Sequence, residues 1–307
     1  MLSSPLFPWI GFNAGILFLL AVDLLFFRRT GRGMSARTAL LSSLAWIAVS
    51  LACGTGVWIG MGRDSGLQFL TGYLVEYSLS ADNIFIFVLI FDYFRVLPAN
   101  QPRVLSWGVF GAMVLRGMMI GAGALLLAHF HWILYLFGVF LLATGCRMLF
   151  HRDTEMDIAA NPVLRFCRRT LPMAQGEHGS KFAVRENGAL RFTPLALVLI
   201  VVEGVDLIFA VDSIPAVFAI TQAPFIVYTS NVCAILGLRS LYFLLAGAMP
   251  HLRHLKMGLA VVLAFIGGKM LLAYWYSIPN EWSLAVVVGI LAVAVAASRL
   301  PQKKELQ

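Results

Sequence analysis

Charge is scarce in this chain: Asp, Glu, Lys and Arg make up 12% of its 307 residues while 60% are hydrophobic. An average soluble domain is about 25% charged, so the shortage excludes an ordinary soluble enzyme and an intrinsically disordered chain alike. Cysteine is scarce too. Cys53, Cys146, Cys167 and Cys233 are scattered, with no CxxC and no His at metal-ligand spacing, which excludes a disulfide framework and a zinc scaffold; they read as reduced, structural thiols. No phosphate-binding loop is present either. The glycines at Gly117, Gly121, Gly123, Gly237, Gly267 and Gly268 lie in apolar sequence and read as close-packing surfaces. What fills the chain is long apolar runs, with a mean hydropathy of +0.85.

A spanning helix needs about 20 mostly apolar residues. Nine runs qualify, at roughly 8–27, 39–61, 67–93, 104–128, 132–150, 194–220, 225–249, 256–276 and 282–298. The expected fold is therefore an all-α polytopic membrane protein of about nine transmembrane helices. The first run lacks a charged leader region and an A-x-A site and ends in Arg28-Arg29, so it reads as a retained helix. The net charge of +8 sorts by side of the membrane and gives no reason to expect nucleic acid. Nineteen of the 23 Lys and Arg fall at one set of span ends, Arg63 alone at the other, and Arg116, Arg239 and Lys269 inside spans. The positive-inside rule then places the N-terminus outside and the C-terminus in the cytoplasm. Residues 1–150 would hold five spans, 151–193 a solvated cytoplasmic loop, 194–300 four more spans and 301–307 a cytoplasmic tail.

Spans three to five, 67–150, match spans six to eight, 194–276, in order and in charge. Glu76 and Asp82-Asn83-Ile84 in the third parallel Asp206 and Asp212-Ser213-Ile214 in the sixth. Arg116 in the fourth parallels Arg239 in the seventh, and Arg147 in the fifth parallels Lys269 in the eighth. Each unit has three spans, so the two are inverted. Inverted repeats place a binding site near the bilayer midplane and allow alternating access.

Five acids, Glu76, Asp82, Glu203, Asp206 and Asp212, lie deep in these apolar spans. Each would cost about 2.5–3.5 kcal/mol at the centre of a membrane helix, so the set reads as a functional site with partners. Arg116, Arg239 and Lys269 are the candidate charge partners. The formal surplus of two negative charges suits a divalent cation or two protons. Glu76 and Asp82 are six residues apart, as are Asp206 and Asp212, about 240° around a helix. If each pair serves one site, the third and sixth spans must unwind, and Pro215 beside Asp212 supports that. Asn83 and Ser213 would add neutral oxygen ligands; Ser80 and Asn231 could line a path. None of the six His lies in either motif. Hard oxygen ligands suit Mn²⁺, Mg²⁺ or Ca²⁺. Asp23 and Asp92 read as interfacial partners of Arg28 and Arg95.

The stretches Glu76-Tyr77-Ser78-Leu79-Ser80-Ala81-Asp82-Asn83-Ile84-Phe85 and Asp206-Leu207-Ile208-Phe209-Ala210-Val211-Asp212-Ser213-Ile214-Pro215-Ala216 resemble the two signatures of the TerC/Alx family. Pro224 to Asn231 and Leu236 to Phe243 resemble it as well, and the similarity runs from about Leu67 to Leu272. It departs at Gly204-Val205, where many relatives carry a bulkier residue and Thr. The resemblance implies a bacterial inner-membrane exporter of the LysE-like group, with manganese as substrate and no prosthetic group. With no nucleotide site to supply energy, the expected coupling is to protons. Relatives named for tellurium resistance or linked to membrane-protein assembly imply the alternative, an assembly or stress-resistance factor in which the charges are structural salt bridges. An intramembrane aspartyl protease is disfavoured, since no GxGD surrounds Asp82 or Asp212.

Overall fold

The computed structural model describes residues 6–28, 36–130, 132–150, 162–174, 179–186, 188–245, 254–273, 275 and 278–299. Five helices come first: α1 (Leu6–Arg28), α2 (Ala36–Met61), α3 (Arg63–Tyr93), α4 (Gln101–His129) and α5 (Ile133–Phe150). A short helix α6 (Pro162–Thr170) and a hairpin of β1 (Ala183–Glu186) and β2 (Ala189–Phe192) precede α7 (Pro194–Phe218). Then follow α8 (Pro224–Leu236), α9 (Leu238–Leu245), α10 (Leu255–Leu272) and α11 (Asn280–Arg299).

Among the described residues, seven of these helices are long and apolar enough to cross a membrane, and α8 with α9, bent by 40°, gives an eighth span. The one expected span left over, the run at 256–276, corresponds to α10, whose apolar stretch Met257–Leu272 is shorter. At 1.5 Å per residue its 18 residues reach about 27 Å, just under the ~30 Å of a hydrocarbon core. The molecule is an all-α polytopic membrane protein.

The outside of the bundle is greasy and the inside carries the polar groups. Phe18, Ile59, Leu125, Phe150 and Val293 are exposed, whereas Glu76, Arg116, Asp206, Asn231 and Arg239 are buried. That distribution is what a bilayer selects, because lipid cannot satisfy a hydrogen bond. The most buried spans are α3 and α7, and α1 is the most peripheral. Tyr228 of α8 donates to Asn13 Oδ1 at 2.7 Å, and Trp9 packs its ring on Phe225 and Tyr228. These contacts hold one end of α1 against α8.

The helices whose charges match in sequence pack in an exchange pattern. α3 lies against α8 as α7 lies against α4, α3 and α7 touch each other, and α5 and α10 form the most extensive helix pair. Along that last pair the backbones meet at glycines. A Cβ on Gly145 would sit 2.7 Å from the Ala260 carbonyl oxygen, and one on Gly267 would sit 2.6 Å from the Leu142 nitrogen. Gly145 and Gly267 stand two residues before Arg147 and Lys269, so they occupy matching positions in the two units. Gly268 and Gly121, by contrast, face open space.

Helices α3 and α7 are continuous, which corrects the expectation that they unwind between their paired acids. Pro215 falls in the last turn of α7, where the missing N–H frees only one carbonyl and the helix ends at Phe218. The break occurs in the seventh apolar run instead. There Gly237 separates α8 from α9, and the Ser240 hydroxyl donates to the Gly237 carbonyl at 3.0 Å.

Within 151–193, read from sequence as a solvated linker, local structure is present. β1 and β2 pair antiparallel, Ala183 opposite Phe192, around Gly188, whose φ of +79° is a conformation that favours glycine. Leu164 and Cys167 of α6 are buried, and Arg103 of α4 lies over the Phe182 ring. Thr193 closes the segment: its hydroxyl donates to the Lys181 carbonyl at 2.6 Å and accepts from the Ala196 N–H at 3.3 Å, capping α7. The tail at 301–307 lies outside the described residues.

Candidate functional site

Arg116 organises the centre of the bundle. Its side chain, 1% exposed, comes from α4 into the space between α3, α7 and α8. Nε and Nη2 donate to the two oxygens of Asp206 at 3.0 and 2.8 Å, a two-pronged contact. Nη1 donates to Glu76 Oε1 and, at 3.1 Å, to Asn231 Oδ1. One guanidinium therefore joins four helices, and it holds the first residue of each of the two acidic motifs, Glu76 and Asp206. A planar fork of five donors suits this task in a way that a lysine ammonium does not.

The cluster is not saturated. Glu76 Oε2, Asn231 Nδ2, Ser80 Oγ and Ser213 Oγ are buried without a hydrogen-bond partner among the described residues. Such orphans are rare in protein interiors and call for a cause. One turn before Asp206, both carboxylate oxygens of Glu203 are likewise sealed from solvent and unpartnered. Glu203 fits where it does because α4 has glycine opposite it: a Cβ on Gly111 would collide with the carboxylate, and one on Gly108 would lie 3.8 Å away. Glu203 and Asp206 share a small cavity with Arg239, closed by Phe87, Leu105 and Val202. Two carboxylates at i, i+3 on one face repel unless a cation is shared between them. Gly111→Ala is accordingly expected to push the Glu203 carboxylate out of its notch and to impair activity more than Gly121→Ala, which has free space. Equal activity of the two variants would show that the position of Glu203 is immaterial.

The other expected residues are distributed differently. Arg239 donates to Asp23 Oδ2 of α1 and, at 3.0 Å, to the Ser106 hydroxyl of α4. This corrects the expected pairing of Asp23 with Arg28: a charge within the span finds its partner across the bundle, since an unpaired buried arginine would be far costlier than an interfacial one. Lys269 donates to Ser283 Oγ of α11 at 2.7 Å and makes no ion pair with Glu76, Glu203, Asp206 or Asp212. Asn83 is buried and Asp212 is half-buried. Asp82 lies in the middle of α3, and its side chain is outside the described residues. No group of three or more His, Cys, Asp or Glu side chains arranged to hold a metal occurs among the described residues. Among the described residues, the acids that come together do so around Arg116, which holds Glu76 and Asp206, with Glu203 in the cavity beside Asp206.

Sequence reading missed Gly108, Gly111, Ser106 and the role of Asp23. Glycines at i, i+3 in an apolar helix do carry a signal of close approach, but what approaches is a carboxylate rather than a backbone.

Known proteins resemble this chain over nearly its whole length. Residues 61–306 match the model of the "Integral membrane protein TerC family". A protein of Salmonella typhi named "Putative membrane-bound redox modulator Alx" is 47% identical over 302 residues, covering 95% of this chain and 94% of the relative. The protein of the same name in Escherichia coli K12 is 48% identical over 300 residues, 95% and 93% of the two chains. An "Uncharacterized membrane protein" of Myxococcus xanthus is 45% identical over 295 residues, 96% and 92%. No solved structure matches. With four fifths of its length inside the family model and relatives 45–48% identical over nearly the whole chain, the protein belongs to the TerC family of integral membrane proteins.

Proposed function

We propose that the protein is a secondary transporter that exports a divalent cation, with Mn²⁺ as substrate, in exchange for protons across the bacterial inner membrane. The observation that carries this reading is the Arg116 junction: two acids from equivalent helices, buried in an apolar bundle, held by a cation that belongs to the protein itself. A divalent ion entering from the Glu203 side would compete with the guanidinium for Asp206 and Glu76. Arg116 would then act as the internal counter-ion of the empty site. The unpartnered oxygens of Glu203, Glu76, Ser80 and Ser213 are hard ligands of the kind that Mn²⁺ accepts. Asp82, Asp212 and Asn83, one to two turns further along α3 and α7, would serve as further ligands or proton carriers along the path.

The exchange pattern of the helices supports an inverted repeat, and the matched glycines of α5 and α10 support a pseudo-twofold axis between the units. The excess of Lys and Arg at one set of span ends supports a cytoplasmic C-terminus.

A second reading, a membrane assembly or stress-resistance factor with permanent salt bridges, is favoured by one observation: Arg116, Arg239 and Lys269 all have hydrogen-bond partners already. Flux measurements on purified protein in liposomes separate the two. Loaded with a manganese-quenched dye and given a pH gradient, wild-type vesicles should quench well above empty ones. Asp206→Asn, Asp212→Asn and Asp82→Asn should each reduce the rate to the empty-vesicle level while remaining inserted, because each removes a ligand charge at constant volume. Parallel trials with Ca²⁺, Mg²⁺ and Zn²⁺ define the preference. Wild-type vesicles that quench no faster than empty ones for any of the four ions would overturn the transporter reading.

A further inference from the structure

Two of the cysteines stand side by side across a helix interface. Cys53 on α2 and Cys233 on α8 belong to one apolar cluster where the two helices pack. The backbones around them are drawn together by Ser50, whose hydroxyl lies 2.8 Å from the Trp46 carbonyl and 3.3 Å from that of Cys233. Cys233 is 1% exposed and packs in the cluster of Val57, Phe69, Tyr73 and Ile226. Cys53 is partly exposed. It lines a cavity of about 320 Å³ at one end of the bundle, between Phe12 of α1, Gly56 and Gly60 of α2, and Phe225 and Thr229 of α8.

We propose that Cys53 and Cys233 are a redox-convertible pair that closes into a disulfide between α2 and α8 when a small hydroperoxide enters this cavity. The order of events follows from access. The Cys53 sulfur, as thiolate, attacks one peroxide oxygen, the O–O bond breaks, and the leaving hydroxide takes a proton to become water. The resulting sulfenic acid is attacked by the Cys233 sulfur, the S–O bond breaks, and a second water leaves. Two thiols and one hydrogen peroxide thus become one disulfide and two waters, with the peroxide as the oxidant. Sulfenic acids condense in this way when a second thiol is within reach, and Ser50, one turn from Cys53 on the same face of α2, holds the Cys233 backbone against that helix.

The cavity selects the reagent by size and polarity. Its walls are apolar side chains and glycine with a single hydroxyl, Thr229, so a neutral, nearly water-sized peroxide enters more readily than a charged peptide disulfide. Cys146 on α5 and Cys167 on α6 have no such neighbour among the described residues. The bridge would fix α8 to α2 two residues from Asn231, the residue through which α8 holds Arg116. Oxidation would therefore pin one wall of the central junction. The chemistry of the pair stands or falls without reference to metal transport.

The test uses the full-length protein, reduced, desalted and treated in detergent with hydrogen peroxide, then denatured, blocked with N-ethylmaleimide and mapped by mass spectrometry. The expected result is a peptide linked through Cys53 and Cys233, loss of two of the four alkylatable thiols, and full recovery with dithiothreitol. Oxidised glutathione in place of peroxide should give at least tenfold slower bridging. In Cys53→Ser all three remaining thiols should stay alkylatable, whereas Cys146→Ser should bridge as fast as wild type. Four alkylatable thiols after peroxide, a sulfinic acid on Cys53 without a bridge, or a bridge joining two chains would each overturn the assignment.

Discussion

Arg116→Met should yield little folded protein, and what is recovered should melt far below wild type. The substitution keeps the side-chain volume roughly in place but strands Glu76 and Asp206 in an apolar bundle, with Asn231 as their only remaining neighbour from the junction. Breaking a buried pair from one side costs about 3–5 kcal/mol. Removing the charges as well, in Arg116→Met with Glu76→Gln and Asp206→Asn, should recover much of the lost stability without recovering activity. Thermal melting of detergent-solubilised protein monitored by size exclusion reads both effects. A single variant that melts with wild type at pH 7 would mean that the acids do not need the arginine.

Gly267→Ala and Gly268→Ala should differ sharply although the residues are neighbours. A methyl group on Gly267 would meet the Leu142 nitrogen at 2.6 Å and the Gly138 oxygen at 2.7 Å, so α5 and α10 must separate; Gly268 has nothing within 4 Å. Backbone cannot rotate aside as a side chain can. Overpacking typically costs about 1–3 kcal/mol, and in a bilayer the helices have little besides close packing to hold them together. At Gly268 the methyl should be neutral or favourable, since alanine exceeds glycine by about 1 kcal/mol within a helix. Melting temperatures of the two variants provide the comparison, and equal values would show that the α5 and α10 contact is looser than its geometry.

The membrane class, the run of apolar helices and the identity of the buried charges were legible in the sequence because each depends on local composition. A long apolar stretch must be helical in lipid whatever surrounds it, and Glu76, Arg116 and Asp206 must be functional or paired because apolar sequence surrounds them. The correspondence of the two halves was legible for the same reason, as matched charges at matched spacing.

Which charge meets which was not. Arg116 and Arg239 match in the sequence, yet one holds Asp206 and Glu76 and the other holds Asp23 of α1. Spacing within a helix gives the face a residue occupies, but the partner on that face comes from another helix whose rotation and depth depend on every contact in the bundle. The same holds for the break. Pro215 is a stronger local breaker than Gly237, but it lies where α7 is already ending, while Gly237 lies where α8 must turn to bring Arg239 toward α1. The shared cluster of Cys53 and Cys233 and the notch at Gly111 that receives Glu203 also arise only when helices distant in sequence are packed. Composition alone determines that this chain enters a membrane and carries its charges inward; only tertiary packing decides which of them neutralise one another, because pairing energy falls off within a few ångströms and sequence does not specify distances across a bundle.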